Sequence, residues 1–96
     1  MLISASSTEH VHVLVTAPAG TDLASLPVRM AVVTHDDDPA EDEWLEAEWR
    51  DREALLLVGP NSATQTLARG RYQVWINIDP PGAEDVVRLS GTLRIT

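Results

Sequence analysis

Strict two-residue alternation between apolar and polar side chains occurs in four separate runs of this 96-residue sequence. The runs cover residues 10–16, 28–34, 71–79 and 87–96. In the third run the even positions carry the apolar and aromatic side chains, namely Tyr72, Val74, Ile76 and Ile78. Successive side chains of a strand point to opposite faces, so the alternation predicts antiparallel strands with one buried face and one solvated face. The same rule predicts that the odd positions Val87, Leu89, Gly91, Leu93 and Ile95 face the core.

Turn-forming residues separate these runs at short intervals. Proline, glycine, asparagine and aspartate cluster at 18–20, 36–39, 59–61 and 80–82. Several short strands divided by such turns are typical of an all-β sandwich or barrel. A length of 96 residues fits one domain, residues 1–96, in which residues 1–8 form an N-terminal arm before the first strand. The chain has no cysteine, so neither disulfides nor thiolate ligands contribute to its stability.

Residues 39–58 fit two different structures. A helix could begin after Asp38 as its N-cap, with Pro39 at the first helical position and Gly59 as its stop signal. Two strands joined by a turn at 51–52 fit equally well, and they would place Leu45, Ala47 and Trp49 toward the core. The local pattern leaves both open, so the alternative to an all-β fold is an α+β fold with a helix at about 39–58.

The segment 34–53 contains ten of the fifteen acidic residues of the chain. Its three consecutive aspartates, Asp36 to Asp38, do not match a calcium-binding loop, which needs ligands at alternate positions and a central glycine. Aspartate followed by proline is instead common in turns. We therefore expect a solvated acidic loop without a bound ion.

The charge pattern bears on the class of partner. The formal net charge is −8, and the seven basic residues are scattered arginines that form no basic patch. Phosphate backbones and anionic lipid surfaces are bound by clustered positive charge. We expect no nucleic-acid partner and no membrane partner.

The histidine pair His10 and His12 is the one arrangement that suggests a metal. Both side chains would project from the same face of a strand, as zinc ligands can, but the sequence spacing fixes no third or fourth ligand. Exposed polar positions between buried valines explain the pair better. No nucleophile, phosphate-binding or dinucleotide-binding motif is present either. The expectation is a chain that is not an enzyme and has no metal or cofactor.

Two aromatic positions suggest structural or binding roles. Tyr72 follows the turn residue Gly70 in the pattern L-x-x-G-x-Y-x-V, which is typical of the tyrosine corner of immunoglobulin-like sandwiches. Trp75 lies on the polar side of the same run, between Gln73 and Asn77. A tryptophan at such a position is a candidate interface residue, or else it lies beneath a loop.

Three stretches together resemble a family of small proteins encoded among the virion structural genes of long-tailed phages and prophages of actinobacteria. They are DEWLEAEWRDREALLLVGPN at 42–61, LARGRYQVWINI at 67–78 and GTLRIT at 91–96. The resemblance covers most of residues 9–96. It implies an immunoglobulin-like antiparallel β-sandwich of about six to eight strands, with two strands in the segment 44–58.

The resemblance also implies a non-enzymatic virion protein, assembled in the host cytoplasm, that docks in multiple copies on the head or the head–tail neck as capsid decoration or beside the connector. Its partners would be capsid, neck or tail subunits and further copies of itself. A tail or baseplate module is one alternative, and a stand-alone carbohydrate- or protein-binding module is another. Under these readings Trp44 and Trp75 are candidate interface residues, whereas Trp49, Gly70 and Tyr72 are structural.

Overall fold

The structure, a computed structural model, describes residues 1–16, 22–60, 67–78 and 86–96. These residues form strands β1 (Leu2–Ile3), β2 (Glu9–Leu14), β3 (Val28–Val33), β4 (Leu45–Glu46), β5 (Glu48–Arg50), β6 (Glu53–Val58), β7 (Gly70–Ile78) and β8 (Val86–Ile95). Two short 3₁₀ turns, Leu23–Ser25 and Glu41–Glu43, complete the regular structure of this part of the chain. The turn signals predicted at 18–20 and 80–82 lie outside the described residues. Within the described residues, no helix has the length and apolar character needed to cross a membrane.

The strands form two sheets that pack face to face, which confirms the predicted all-β sandwich. One sheet has five strands in the order β1-β8-β7-β3-β4, and the other has three in the order β2-β6-β5. This is the strand arrangement of immunoglobulin-like sandwiches, in which strands C, F and G share one sheet and strands B, D and E the other. All pairs are antiparallel except β1 with β8.

The segment 1–8, predicted as an N-terminal arm, contributes a strand to the five-stranded sheet. Leu2 and Ile3 of β1 pair in parallel with Arg94 and Ile95 of β8. The Thr96 N–H donates to the Ile3 carbonyl at 3.0 Å, and the Ala5 N–H donates to the Thr96 carbonyl at 2.8 Å. Ile3 is buried as a result, with 3% of its surface exposed.

The core lies between the two sheets and is built from the inward positions of the predicted alternation. Met30 of β3 and Leu93 of β8 are completely buried on one side, and Val11 of β2 and Leu56 of β6 are buried opposite them. The alternation in 10–16, 28–34 and 71–78 therefore predicts the buried face correctly, and Asp79, the last residue of the third run, lies outside the described residues.

The helix considered for 39–58 is absent, and strands form there as the alternative predicted, but the first of the two predicted strands is divided into β4 and β5. The chain leaves β4 in one sheet and enters β5 in the other at Ala47, whose N–H donates to the Val28 carbonyl at 3.0 Å. Leu45, Ala47 and Trp49 all pack against the core, as the strand pattern predicted. The Trp49 indole Nε1–H also donates to the Leu26 carbonyl at 2.9 Å, so this tryptophan joins β5 to the segment before β3.

The prediction for the first half of β8 was wrong. The register between β7 and β8 shifts after Val74, because Gly91 lies opposite Val74 whereas Leu89 lies opposite Trp75. This bulge inserts Ser90 and moves Leu89 to the other face of the sheet. Leu93 and Ile95 face the core as expected, but Leu89 faces outward and is 51% exposed.

The tyrosine corner predicted at Tyr72 is present. The Tyr72 hydroxyl donates to the carbonyl of Ala68, four residues earlier, at 2.7 Å, and its ring is buried in the core. Gly70 begins β7 with a φ of 149°, a backbone conformation that favours glycine. The corner fixes the direction in which the chain enters β7, and β7 positions the surface described next.

Candidate functional site

The outward face of the five-stranded sheet carries the two tryptophans predicted as interface residues. Trp75 of β7 lies opposite Ala31 of β3. On the other side of β3, Arg29 pairs with Glu46 of β4, and continuing this register by two residues places Trp44 opposite Ala31. The outward face therefore carries a row of Trp44, Ala31 and Trp75, which we call the tryptophan row. With strands about 4.8 Å apart, the two tryptophan Cα atoms lie about 10 Å from each other.

Residues of the outward face are unusually well covered. Ala31 and Asn77 have 0% and 2% of their surface exposed, although neither points into the core between the sheets. Both tryptophans are half-buried. A small side chain at position 31 leaves room for large indoles at the neighbouring positions of the row.

The acidic loop 34–43 is held against this face by polar contacts. The Gln73 amide donates to Asp36 Oδ1 at 2.8 Å, and the Arg29 guanidinium donates to Glu41 Oε1 at 2.8 Å. Arg29 also donates to Asn77 Oδ1 at 3.2 Å. The loop was predicted to be solvated, and its aspartates are exposed, but these contacts fix it to the sheet. Its position relative to the tryptophan row is therefore defined.

A histidine–glutamate pair closes the loop upon itself. His35 Nε2 lies 2.8 Å and 3.0 Å from the two carboxylate oxygens of Glu43, and the Ala40 N–H donates to Glu43 Oε1 at 2.8 Å. The hydrogen bond to Glu43 raises the pKa of His35, partly opposed by desolvation and assisted by Asp37. The backbone N–H of Ala40, followed by His35, lowers the pKa of Glu43. Both pKa shifts favour the charged form of the group concerned. His35 and Glu43 therefore stabilise each other's charges in the pH range where both are ionised.

The two tryptophans differ in what they present to a partner. The Arg29 guanidinium carbon lies 5.6 Å from the centre of the Trp44 ring, which is a cation–π contact that occupies part of that indole. Trp75 lies next to the exposed side chain of Leu89. Its Nε1–H is buried and has no hydrogen-bond partner among the described residues. Trp75 and Leu89 thus form the apolar part of this face, and Trp44 and Arg29 form its polar part.

The histidine pair lies far from this face, on the outside of the three-stranded sheet. The rings of His10 and His12 meet edge to face with centroids 6.2 Å apart, and His12 Nδ1 lies 2.7 Å from Glu53 Oε2. Among the described residues no group of three or more histidine, cysteine, aspartate or glutamate side chains could hold a metal ion. His12 therefore acts as a hydrogen-bond partner of Glu53 in this structure.

Sequence reasoning placed Trp44 and Trp75 on exposed strand faces but missed the residues that organise the surface. Arg29, Gln73 and Asn77 occupy outward positions that look like ordinary solvated sites in the sequence. The presence of a small residue at Ala31, between larger ones, was the available signal that the outward face is packed. The outward orientation of Leu89 could not be predicted from the sequence, because it depends on the bulge at Ser90.

No protein-family model, curated protein or solved structure significantly matches this chain.

Proposed function

We propose that this chain is a non-enzymatic structural protein of the virion of a long-tailed phage or prophage. Its immunoglobulin-like module docks in multiple copies on the head or the head–tail neck. The observation that carries the proposal is the tryptophan row, continued by the exposed Leu89, on the outward face of the five-stranded sheet. The resemblance of residues 42–61, 67–78 and 91–96 to virion proteins gives the setting in which this face would act.

The physical character of the face suits a protein partner. Tryptophan is enriched among residues that dominate binding energy, because it buries a large area with few rotatable bonds. Apolar contact at Trp75 and Leu89 would supply affinity. The acidic residues of the loop lie at its rim, where complementary charge mainly speeds association and selects the partner. A neighbouring subunit with a basic rim fits these features, so docking should weaken as salt concentration rises.

Carbohydrate binding is an alternative function for a face that carries two tryptophans. Two tryptophans on one face could stack on sugar rings. However, both are half-buried, and the Arg29 guanidinium covers part of Trp44. These features support a protein partner, which can bury Leu89 as well as the exposed parts of the indoles.

The test of the assignment is a protein inventory of purified particles. We expect peptides of this chain at many copies per particle, and in separated fractions we expect them with heads rather than with tails. Recovery in the tail fraction alone would assign the protein to the tail or baseplate instead of the head or neck. A complete inventory that lacks the chain would contradict the virion assignment.

Single substitutions test the face itself. Trp75→Ala and Leu89→Ser should each reduce incorporation into particles when the variant replaces the wild-type chain. Leu2→Ser is the matched control, because Leu2 is 67% exposed but lies at the β1 edge of the sheet. Thermal unfolding shows whether each variant is folded. Normal incorporation of folded Trp75→Ala and Leu89→Ser variants would show that docking uses another surface.

A further inference from the structure

The four outer edges of the two sheets are not equally protected. The strands β1 and β4 at the edges of the five-stranded sheet have two residues each, and β5 at one edge of the other sheet has three. In contrast, β2 has six residues, and within the described part of the chain only β6 pairs with it. Short edge strands discourage pairing with another chain, whereas a long regular one provides a template for it.

The backbone of β2 alternates between bonded and open positions. The Val15 N–H donates to the Arg52 carbonyl at 2.8 Å. The residues that exchange hydrogen bonds with β6 are therefore those two and four positions before Val15. The register of β2 with β6 continues this pattern through Val13 and Val11. The backbone N–H and C=O groups of His10, His12 and Leu14 therefore point away from β6, toward the open edge.

The strand β2 itself carries few of the devices that block an open edge. The strand contains no proline, lysine or arginine, and its register with β6 shows no bulge. Leu14 at its end is 69% exposed. A groove of about 550 Å³ runs beside it, with Val13 and Val15 on one wall and Ile76, Ile78 and Ser90 contributed from the opposite sheet. The edge thus offers both open hydrogen-bonding groups and apolar surface.

We infer that β2 pairs with β2 of a second copy of this chain, antiparallel and across a two-fold axis at His12. In this register His12 lies opposite its own counterpart and His10 lies opposite Leu14 of the other copy. The three open residues of each strand then exchange six backbone hydrogen bonds. The contact is isologous, since the same residues serve on both sides, and it joins the two three-stranded sheets into one six-stranded sheet.

The charge distribution favours a second copy as the occupant. The chain has a net charge of −8, and ten of its fifteen acidic residues lie in 34–53, so pairing that segment with itself would bring acidic residues together. Glu9 is the only acidic residue of β2, and the two-fold register places the two Glu9 side chains at opposite ends of the pair. Like charges are thus kept apart along the shared edge. This self-pairing does not depend on the proposed virion function and can hold whether or not that function does.

Sedimentation of the purified chain over a range of concentrations tests the pairing, with amide exchange to locate it. We expect a reversible dimer, and protection of the His10, His12 and Leu14 amides that rises with protein concentration. The Val11 and Val13 amides should be protected at every concentration, because they bond to β6. A monomer at all concentrations, or a dimer without this alternating pattern, would overturn the inference.

Two variants and a matched control sharpen the test. His12→Pro removes a donor that points only to the open edge, so it should leave the pairing with β6 intact and weaken the dimer at least about tenfold. Leu14→Lys adds a charge at an exposed position and should also weaken it. Leu2→Lys makes the same change at an equally exposed leucine of β1 and should leave the dimer unchanged. A dimer that is insensitive to both β2 variants would show that another surface pairs.

Discussion

Single residues at two turns hold the strands of this sandwich in place, and Tyr72 is the first of them. Its hydroxyl donates to the Ala68 carbonyl at 2.7 Å and ties the start of β7 to the preceding turn. We expect Tyr72→Phe to lower the free energy of unfolding by about 1 kcal/mol, which is the usual net contribution of one such hydrogen bond. Chemical denaturation of both proteins measures the difference. Equal stability would mean that the corner is held by ring packing alone.

Gly59 and Gly70 are two glycines at which the same substitution to alanine can be compared. Both have positive φ, at 121° and 149°, but a Cβ at Gly59 would collide with the backbone of Ser7 and lie 2.7 Å from the Thr8 Cα, whereas one at Gly70 would meet nothing within 4 Å. Gly70→Ala should therefore cost only the backbone strain, about 1–3 kcal/mol. Gly59→Ala should cost clearly more, because the chain at 7–8 has to move. Similar losses in thermal stability for the two variants would contradict this explanation.

Residue roles could be predicted from sequence where they follow from strand alternation or a local motif. Trp49 and Trp44 are five residues apart, an odd separation, and they do lie on opposite sides of their segment. Tyr72 was predicted from its distance to Gly70. The contact of His35 with Glu43 and that of Gln73 with Asp36 were not predictable, because side-chain contacts across a loop depend on how the loop lies on the sheet.

Among the elements, the acidic loop 34–43 has a defined dependence on pH. His35 has a folded pKa raised above its ordinary value of 6.5, so it adds stability below that value and loses this contribution as pH rises through the folded pKa. Glu43 has a folded pKa lowered from 4.5, so its contribution is present above 4.5 and is lost as pH falls through the folded pKa. The pair therefore stabilises the loop most between about pH 4.5 and 6.5.

The variant His35→Gln tests this dependence. Its loss of stability relative to wild type should be larger at pH 5.5 than at pH 8.5, since neutral His35 no longer forms an ion pair with Glu43. Both side chains are about a third exposed, so the difference should be small. Nuclear magnetic resonance titration of the His35 ring gives the folded pKa directly. A His35 pKa at or below 6.5 would contradict the expectation.

The strands themselves were largely predictable, and the exceptions have physical causes. The segment 44–58 fitted a helix or two strands, because Glu46, Glu48 and the alanines are good helix formers. Burial of Leu45, Ala47 and Trp49 against two different sheets decided the outcome in favour of strands. The change of sheet at Ala47 and the bulge at Ser90 depend on long-range pairing, which no local pattern contains.

For the whole molecule, the shared core predicts that the two sheets unfold together. Leu56 of the three-stranded sheet is 1% exposed and belongs to the same buried cluster as Met30 of the other sheet. Leu56→Ala should lower the free energy of unfolding by about 2–5 kcal/mol through lost burial and the cavity left behind. Leu89→Ala, at an exposed leucine, should change it by less than about 0.5 kcal/mol.

Tryptophan fluorescence and far-ultraviolet circular dichroism can follow this unfolding side by side. Trp49 belongs to the three-stranded sheet, whereas Trp75 belongs to the five-stranded one, so the fluorescence reports on both. Coincident transitions in the wild type and in Leu56→Ala would agree with one cooperative unit. Separate transitions would show that the sheets are stable independently.

The parallel pairing of β1 with β8 has a consequence for synthesis on the ribosome. Met1, whose amino group lies 3.2 Å from the Thr92 carbonyl, is separated from it by 91 positions. At typical elongation rates the first strand is made on the order of 5 to 20 seconds before its partner. Strands β2, β5 and β6 are complete well before that, since they end at Val58. A nascent chain can therefore assemble the three-stranded sheet early, while the opposite side of its core stays uncovered until translation reaches β7 and β8.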